Sequence, residues 1–190
     1  MVRPDLSWLR TNPAVPRLHG ERVVLREWVP DDLAPFAALN ADPRVMRYYP
    51  SPLTRAQSDA FVRERGVPQF AERGFGLWAV EVPGVAPFIG YVGLAVPAFE
   101  ADFTPCVEIG WRLAFAYWGR GYATEAARAA IAFGFAEAGL EEIVSFTVPE
   151  NRRSVAVMAR LGMSYAGEFD HPGPPGHALR RHVLYRLARP

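Results

Sequence analysis

The stretch that most constrains this chain runs from Trp118 to Gly139. The run Trp118-Gly119-Arg120-Gly121-Tyr122-Ala123-Thr124-Glu125-Ala126 leads from two glycines straight into an alanine-rich segment that ends at Gly139. Alanine is the strongest helix former and glycine a common helix stop, so residues 122–139 are expected to form one long helix. Its apolar residues fall on most faces, which requires burial. The glycines before it let the backbone approach a ligand closely, and the helix N-terminus aims several unpaired N–H groups at the same spot. That is the geometry an anionic pyrophosphate needs. The same glycines also suit a tight strand-to-helix turn with no ligand, and spacing alone leaves both readings open.

A buried helix needs a sheet to cover it, and the surrounding pattern supplies one. Residues 22–28 read as a strand, with Asp31 or Asp32 capping a helix through Leu39. Thr54 caps a second helix, through Phe61 to about Arg65. Strands follow over 75–81, 88–94 and 106–113, the first two joined at Pro83-Gly84, a hairpin signal. After the long helix, residues 143–148 fit a central parallel strand, followed by a helix over 151–161 that stops at Gly162. Two more strands, 163–169 and 182–187, close the chain around a Gly/Pro-rich loop at 171–176. The expectation is one α/β domain over residues 21–190, preceded by a proline-rich arm over 1–20.

Half of the 190 residues are hydrophobic, enough for one sizeable core without staples. Cys106 is the only cysteine and no His/Cys cluster has ligand spacing, so neither a disulfide nor a metal site is expected. No signal peptide or membrane span is evident, which points to a cytoplasmic protein without a membrane partner. The net charge of +1 gives no pull toward nucleic acid. Arg152, Arg153, Arg180, Arg181, Arg186 and Arg189 suit a solvated face better than a nucleic-acid platform, since no aromatic residues interleave them. All 21 cationic residues are arginine, a composition that suggests a GC-rich bacterium.

Wider context adds to the glycine loop. Val107-Glu108-Ile109-Gly110-Trp111-Arg112-Leu113, the 118–126 run, Pro149-Glu150-Asn151-Arg152-Arg153-Ser154 and Leu161-Gly162-Met163 occur in that order. Together they resemble the GNAT superfamily, in its ribosomal-protein N-terminal acetyltransferase-like branch, over roughly residues 20–187. The resemblance implies a mixed, splayed sheet of about seven strands flanked by about four helices. It implies acetyl-CoA as cosubstrate, wedged between the strands holding Trp111 and Phe146. Backbone groups of Trp111 and Leu113 would bind the pantetheine arm. The 118–124 loop, comprising Trp118, Gly119, Arg120, Gly121, Tyr122, Ala123 and Thr124, would bind the cofactor, the amides of Arg120, Gly121, Ala123 and Thr124 holding its pyrophosphate. Asn151 would either bond the pantetheine or cap its helix, and the two can coexist. Trp118 stands where the superfamily often has Gln or Arg. Met158 stands where many relatives carry a thiolate-protonating tyrosine, which leaves the general acid open.

Direct transfer needs a neutral amine, a route for its proton and a donor for the departing thiolate. Strand alternation sets Glu108, Gly110 and Arg112 on one face and Val107, Ile109, Trp111 and Leu113 on the other. Glu108 is therefore the candidate base, with an ion pair to Arg112 or another arginine as the structural alternative. Ser154, in a helix first turn, could protonate the thiolate or be an ordinary first-turn serine. Cys106 reads as a small hydrophobe, and His171, His177 and His182 as surface residues rather than metal ligands.

The acceptor pocket should be built from the first two helices, their connection over 43–52 and the loop before the last strand. Tyr48, Tyr49 and Trp28 either line it or pack in the core. The leading acceptor is a protein N-terminal amine; a polyamine, amino acid or antibiotic amine is the alternative, and a non-catalytic CoA-binding module a third reading. Either a monomer or a homodimer is compatible with the sequence.

Overall fold

The computed structural model describes Leu9, residues 15–172 and residues 178–190, so His177 and part of the Gly/Pro-rich loop lie outside the described residues. Eight strands form one sheet in the order β1-β2-β3-β4-β5-β6-β8-β7. They are β1 (Leu18–His19), β2 (Val24–Arg26), β3 (Leu77–Val82), β4 (Ala86–Ala95), β5 (Glu108–Leu113), β6 (Glu142–Thr147), β7 (Ser164–Asp170) and β8 (Arg181–Ala188). The strand beyond the seven expected is β1, where Leu18 pairs with Leu25 and His19 with Val24. All neighbours are antiparallel except β5 and β6. The crossover between those two is α4 (Tyr122–Ala136), as a parallel pair requires.

The two faces of the sheet carry separate cores. On one, α4 buries Ala126, Ala127 and Ala130 against Trp78, Val92, Leu94 and Ile109. Small side chains on the helix let it lie close to the strands, and Trp78 and Ile109 are fully buried there. On the other face, α1 (Leu33–Ala41) and α2 (Arg55–Phe61) pack Leu33, Phe36 and Leu39 with Trp28, Leu77 and Tyr91. Trp28 donates its Nε1 to the Leu77 carbonyl at 2.6 Å, which satisfies its one polar atom inside that core.

Three local details differ from the sequence expectation. Asp32 does not cap α1 with its side chain; its carboxylate turns back to the Val29 amide at 2.9 Å and binds Arg26 at 2.7 and 2.8 Å. A buried carboxylate gains more from a bidentate guanidinium than from a lone amide. The second helix, capped by Thr54 as expected, ends at Phe61 and opens into a π-helical turn over Val62–Gly66. A further short helix, α3 (Pro68–Arg73), then leads into β3. Among the described residues no helix is long and apolar enough to cross a membrane.

Candidate active site

The site begins where β5 and β6 part. Their pairing is a single register, Glu108 with Val144, supported by the Val144 amide on the Val107 carbonyl at 2.9 Å. The Ala114 amide donates to Ile89 on β4, so alternation turns the backbone groups of residues 109, 111 and 113 toward β6. The Ile109 carbonyl is taken by the Ser145 hydroxyl at 3.0 Å. Beyond it the strands diverge, and the polar groups of Trp111 and Leu113 face a wedge instead of a ladder. The Leu113 carbonyl accepts the Trp118 indole N–H at 2.7 Å, which folds the following loop back onto the strand end.

That loop meets α4 at Gly121. Gly119 and Gly121 have φ of 74° and 85°, left-handed conformations that side-chain-bearing residues rarely adopt. No side chain caps α4, and its first internal bond is Glu125 N–H to the Gly121 carbonyl. The amides of Tyr122, Ala123 and Thr124 therefore have no helical partner and point outward at the positive end of the helix. Sequence reasoning missed what holds them there. Arg22, two residues before β2, donates its backbone amide and its Nε (2.9 Å) to the Glu125 carboxylate, and its Nη1 to the Arg120 carbonyl at 3.2 Å. Burial opposes ionisation of Glu125, but the amide and guanidinium of Arg22 win and hold its carboxyl below the ordinary range. Without Arg22 an acid in that turn would work against anion binding.

The far wall of the wedge is the turn from β6 into α5 (Arg152–Arg160). Asn151 caps α5, accepting from the Ser154 amide at 3.4 Å, while its Nδ2 donates to Thr147 Oγ1 at 3.0 Å. Ser154 is half-buried in the first turn. Met158 is 1 % exposed and belongs to the α4-side core, so it offers no polar group to the wedge. Two contacts bridge the wedge: Tyr48 Oη donates to the Glu150 carbonyl at 3.0 Å, and Arg153 stacks 4.9 Å over Trp118.

Glu108 and Arg112 lie on the side of β5 that faces α1 and α2, as alternation requires, and Gly110 between them leaves open space. A β-carbon built at Gly110 would meet only Glu108 Oε1, at 3.8 Å, apart from its chain neighbours. Burial pushes the Glu108 carboxyl up to about 8, and the charge of Arg65 pulls it down only in part. No ion pair joins Glu108 to Arg112 among the described residues. Arg112 instead donates Nη1 to Asn40 Oδ1 at 2.7 Å, and Asn40 donates to Ser58 Oγ at 2.8 Å. Tyr49 covers the guanidinium, 4.0 Å from its ring centroid, with Phe61 and Tyr91 at 5.3 and 5.5 Å.

Of the other candidates, Trp28 is 3 % exposed and serves the core. Cys106 is half-buried; burial first, and Glu108 second, push its thiol up to about 11, which leaves it inert as a nucleophile at neutral pH. His171 and His182 are half-buried rather than on the surface, 5.0 Å apart in a cluster with Phe99, Phe103, Phe146 and Phe169. Burial lowers the His182 pKa, so its ring stays neutral among those phenylalanines.

The geometry has counterparts. The chain is 33% identical to the Bacillus subtilis protein YkkB over 153 residues, 79% of this chain and 86% of that one. It is 34% identical over 132 residues to the FsC-acetyl coenzyme A-N(2)-transacetylase of Aspergillus fumigatus, covering 62% of this chain and 55% of that protein. Its fold superimposes on a crystal structure of a GNAT-family acetyltransferase from Bacillus anthracis with a TM-score of 0.75 and 26% identity, over 91% and 98% of the two chains. The family model of the acetyltransferase (GNAT) domain matches residues 22–164, a span that takes in the wedge, the glycine loop and both acceptor-side helices. The chain belongs to the GNAT acetyltransferase family, and its enzymatic class is that of an N-acetyltransferase.

Proposed function

We propose that this enzyme transfers the acetyl group of acetyl-CoA directly to a primary amine within a ternary complex. The observation that carries the reading is the wedge itself: parallel strands paired at one register, opening beside an uncapped helix N-terminus. The donor set fits the cosubstrate. Backbone groups of Trp111 and Leu113 offer an extended pantetheine arm a strand edge. The amides after Gly119 and Gly121 offer oriented donors to a pyrophosphate, with Trp118 and Arg120 flanking them. Asn151 holds the opposite wall in shape. The name of the Aspergillus relative, an acetyl coenzyme A-N(2)-transacetylase, agrees with this donor and with a nitrogen acceptor.

In this scheme Glu108 takes the proton that the amine loses, directly or through one water. A carboxyl titrating near 8 can hold that proton at neutral pH, where an ordinary carboxylate would be too weak a base. The amine nitrogen bonds to the thioester carbon as the carbon–sulfur bond breaks. This scheme assigns the return of a proton to the leaving sulfur to the Ser154 hydroxyl, in the first turn of α5, which solvent then reprotonates.

The test is CoA-thiol release from acetyl-CoA over peptides with free Ala or Ser N-termini, polyamines, amino acids and aminoglycosides. Turnover with peptides alone supports a protein N-terminal acceptor, the leading expectation from the sequence. Turnover with one small amine moves the enzyme to the small-molecule class. Acetyl-CoA binding with no turnover on any amine favours a non-catalytic CoA-binding module, and absence of acetyl-CoA binding overturns the proposal.

A further inference from the structure

The acceptor side of β5 contains a buried cation that the transfer scheme does not use. Arg112 is 7 % exposed, and its Nε has no hydrogen-bond partner among the described residues. Its other contacts are neutral: the Asn40 amide, the Tyr49 side chain, which both hydrogen-bonds it and covers it, and the rings of Phe61 and Tyr91. Burying a guanidinium without a carboxylate is costly, and the usual relief is a paired anion. A structural arginine tying the sheet to α1 would need only the Asn40 bond; the orphaned Nε is left over.

Three further features point the same way. A β-carbon at Gly110 would have only Glu108 Oε1 within 4 Å apart from its chain neighbours, and strand alternation puts the Arg112 side chain on the same face two residues further on. Tyr49, which covers the guanidinium, is half-buried and sits on the connection between α1 and α2, so the ring can be displaced by something that binds better. Arg65, in the π-helical turn, is the charge that acts on the Glu108 carboxyl, and it is positive like Arg112. A polycation would be repelled there, whereas an anion would be drawn in.

Resting on the acetyltransferase reading above, we infer that the acceptor is a small amino carboxylic acid: its amine lies over Gly110 beside Glu108, and its carboxylate displaces Tyr49 to pair with Arg112. A side-on carboxylate would satisfy the orphaned Nε and neutralise the buried charge in one contact. Arg112 is then a specificity-determining residue and takes no part in proton transfer.

The experiment compares the proteinogenic amino acids with their amides and decarboxylated amines as acceptors, and with short peptides bearing an acidic first or second residue. Acetyl-CoA affinity is followed in parallel by calorimetry. Wild-type enzyme should prefer the accepted acid over its amide and its amine by about tenfold or more in kcat/KM, chiefly through KM, as expected for a lost charge-assisted hydrogen bond. Arg112→Gln should collapse that preference to within about twofold and leave acetyl-CoA affinity unchanged. If Arg112→Gln does not fold, Gly110→Ala replaces it. Its added methyl meets nothing closer than 3.8 Å, so the protein should keep its Tm while the KM for the acid rises severalfold. Equal use of acids and amides, a preference that survives Arg112→Gln, an unchanged KM in Gly110→Ala, or turnover of peptides or polyamines but of no free acid would each overturn the inference. So would silence of every acid with acetyl-CoA bound. Loss of acetyl-CoA binding in the wild type, or binding with no turnover on any amine of either kind, would bring down the acetyltransferase reading as well.

Discussion

Arg22 and Glu125, 103 residues apart in the chain, are joined through both the backbone amide and the guanidinium of Arg22. The Val23 amide adds a third bond to the same carboxylate at 3.1 Å. The first turn of α4 is thus anchored to the start of β2, and the glycine loop hangs between that anchor and the Trp118 bond to Leu113. A loop that must hold amides in a fixed array against an anion needs both ends fixed.

Removing the anchor should loosen the array. Glu125→Ala is expected to cost about 2 kcal/mol of stability, the scale for hydrogen bonds to a charged acceptor. Acetyl-CoA affinity should fall with it. Chemical denaturation and calorimetry on the same variant measure both, and an unchanged affinity would separate the anchor from cofactor binding.

Gly121 should tolerate little. Its φ of 85° disfavours any side chain, and a β-carbon there would stand 3.2 Å from Arg22 Nη2. Gly121→Glu puts bulk and negative charge beside the uncapped amides, and acetyl-CoA binding should be abolished. Gly121→Ala should cost about 1 kcal/mol in backbone strain and weaken binding less. Binding of Gly121→Glu at wild-type affinity would remove this loop as the pyrophosphate site.

Glu108 predicts two opposite pH trends. As a base it must be ionised, so kcat/KM should rise with pH through about 8, and Glu108→Gln should lose that limb and most of the rate. For stability the sign reverses. Burial raises the folded-state pKa above the ordinary 4.5, so the protonated carboxyl favours the native state. That contribution is full below about 4.5 and is lost as pH rises through about 8. The Tm of Glu108→Gln should therefore gain on the wild type between pH 5 and pH 9. A flat rate profile, or parallel Tm curves, would remove Glu108 from the base role.

Asp32 offers a test of the fold away from the chemistry. It is 2 % exposed and neutralises Arg26, whose remaining charged partner is Glu81 at 3.1 Å. Hydrogen bonding to Asp32 is the main influence holding the Arg26 pKa up against burial. Asp32→Ala leaves a largely buried cation only partly paired and should cost about 3 kcal/mol, measured by urea denaturation. Acetyl-CoA affinity should change little, because Asp32 lies on the opposite side of the sheet from the glycine loop.

Much of the candidate site was legible locally. The helix start at Tyr122, the Thr54 and Asn151 caps and the side of β5 that carries Glu108 all follow from interactions within a few residues, namely glycine conformation, capping and strand alternation. These act on the chain whatever the rest of it does. The π-helical turn after Phe61 was not legible, because nothing in Val62–Gly66 marks it by composition. It depends on how α2 meets the sheet.

Tertiary structure alone decided the relationships across the sheet. That β5 and β6 pair at only one register, that Arg22 reaches Glu125, and that Arg112 finds Asn40 72 residues away and no carboxylate among the described residues all depend on strand order and packing. The sequence by itself determined which residues could do chemistry: one carboxylate amid an apolar strand, two glycines before a helix and an asparagine cap. Whether Glu108 would pair with Arg112 stayed open until the fold set Arg112 under Tyr49 and against Asn40. Periodicity reports the face on which a side chain lies, whereas its partner is set by contacts between segments distant in the chain.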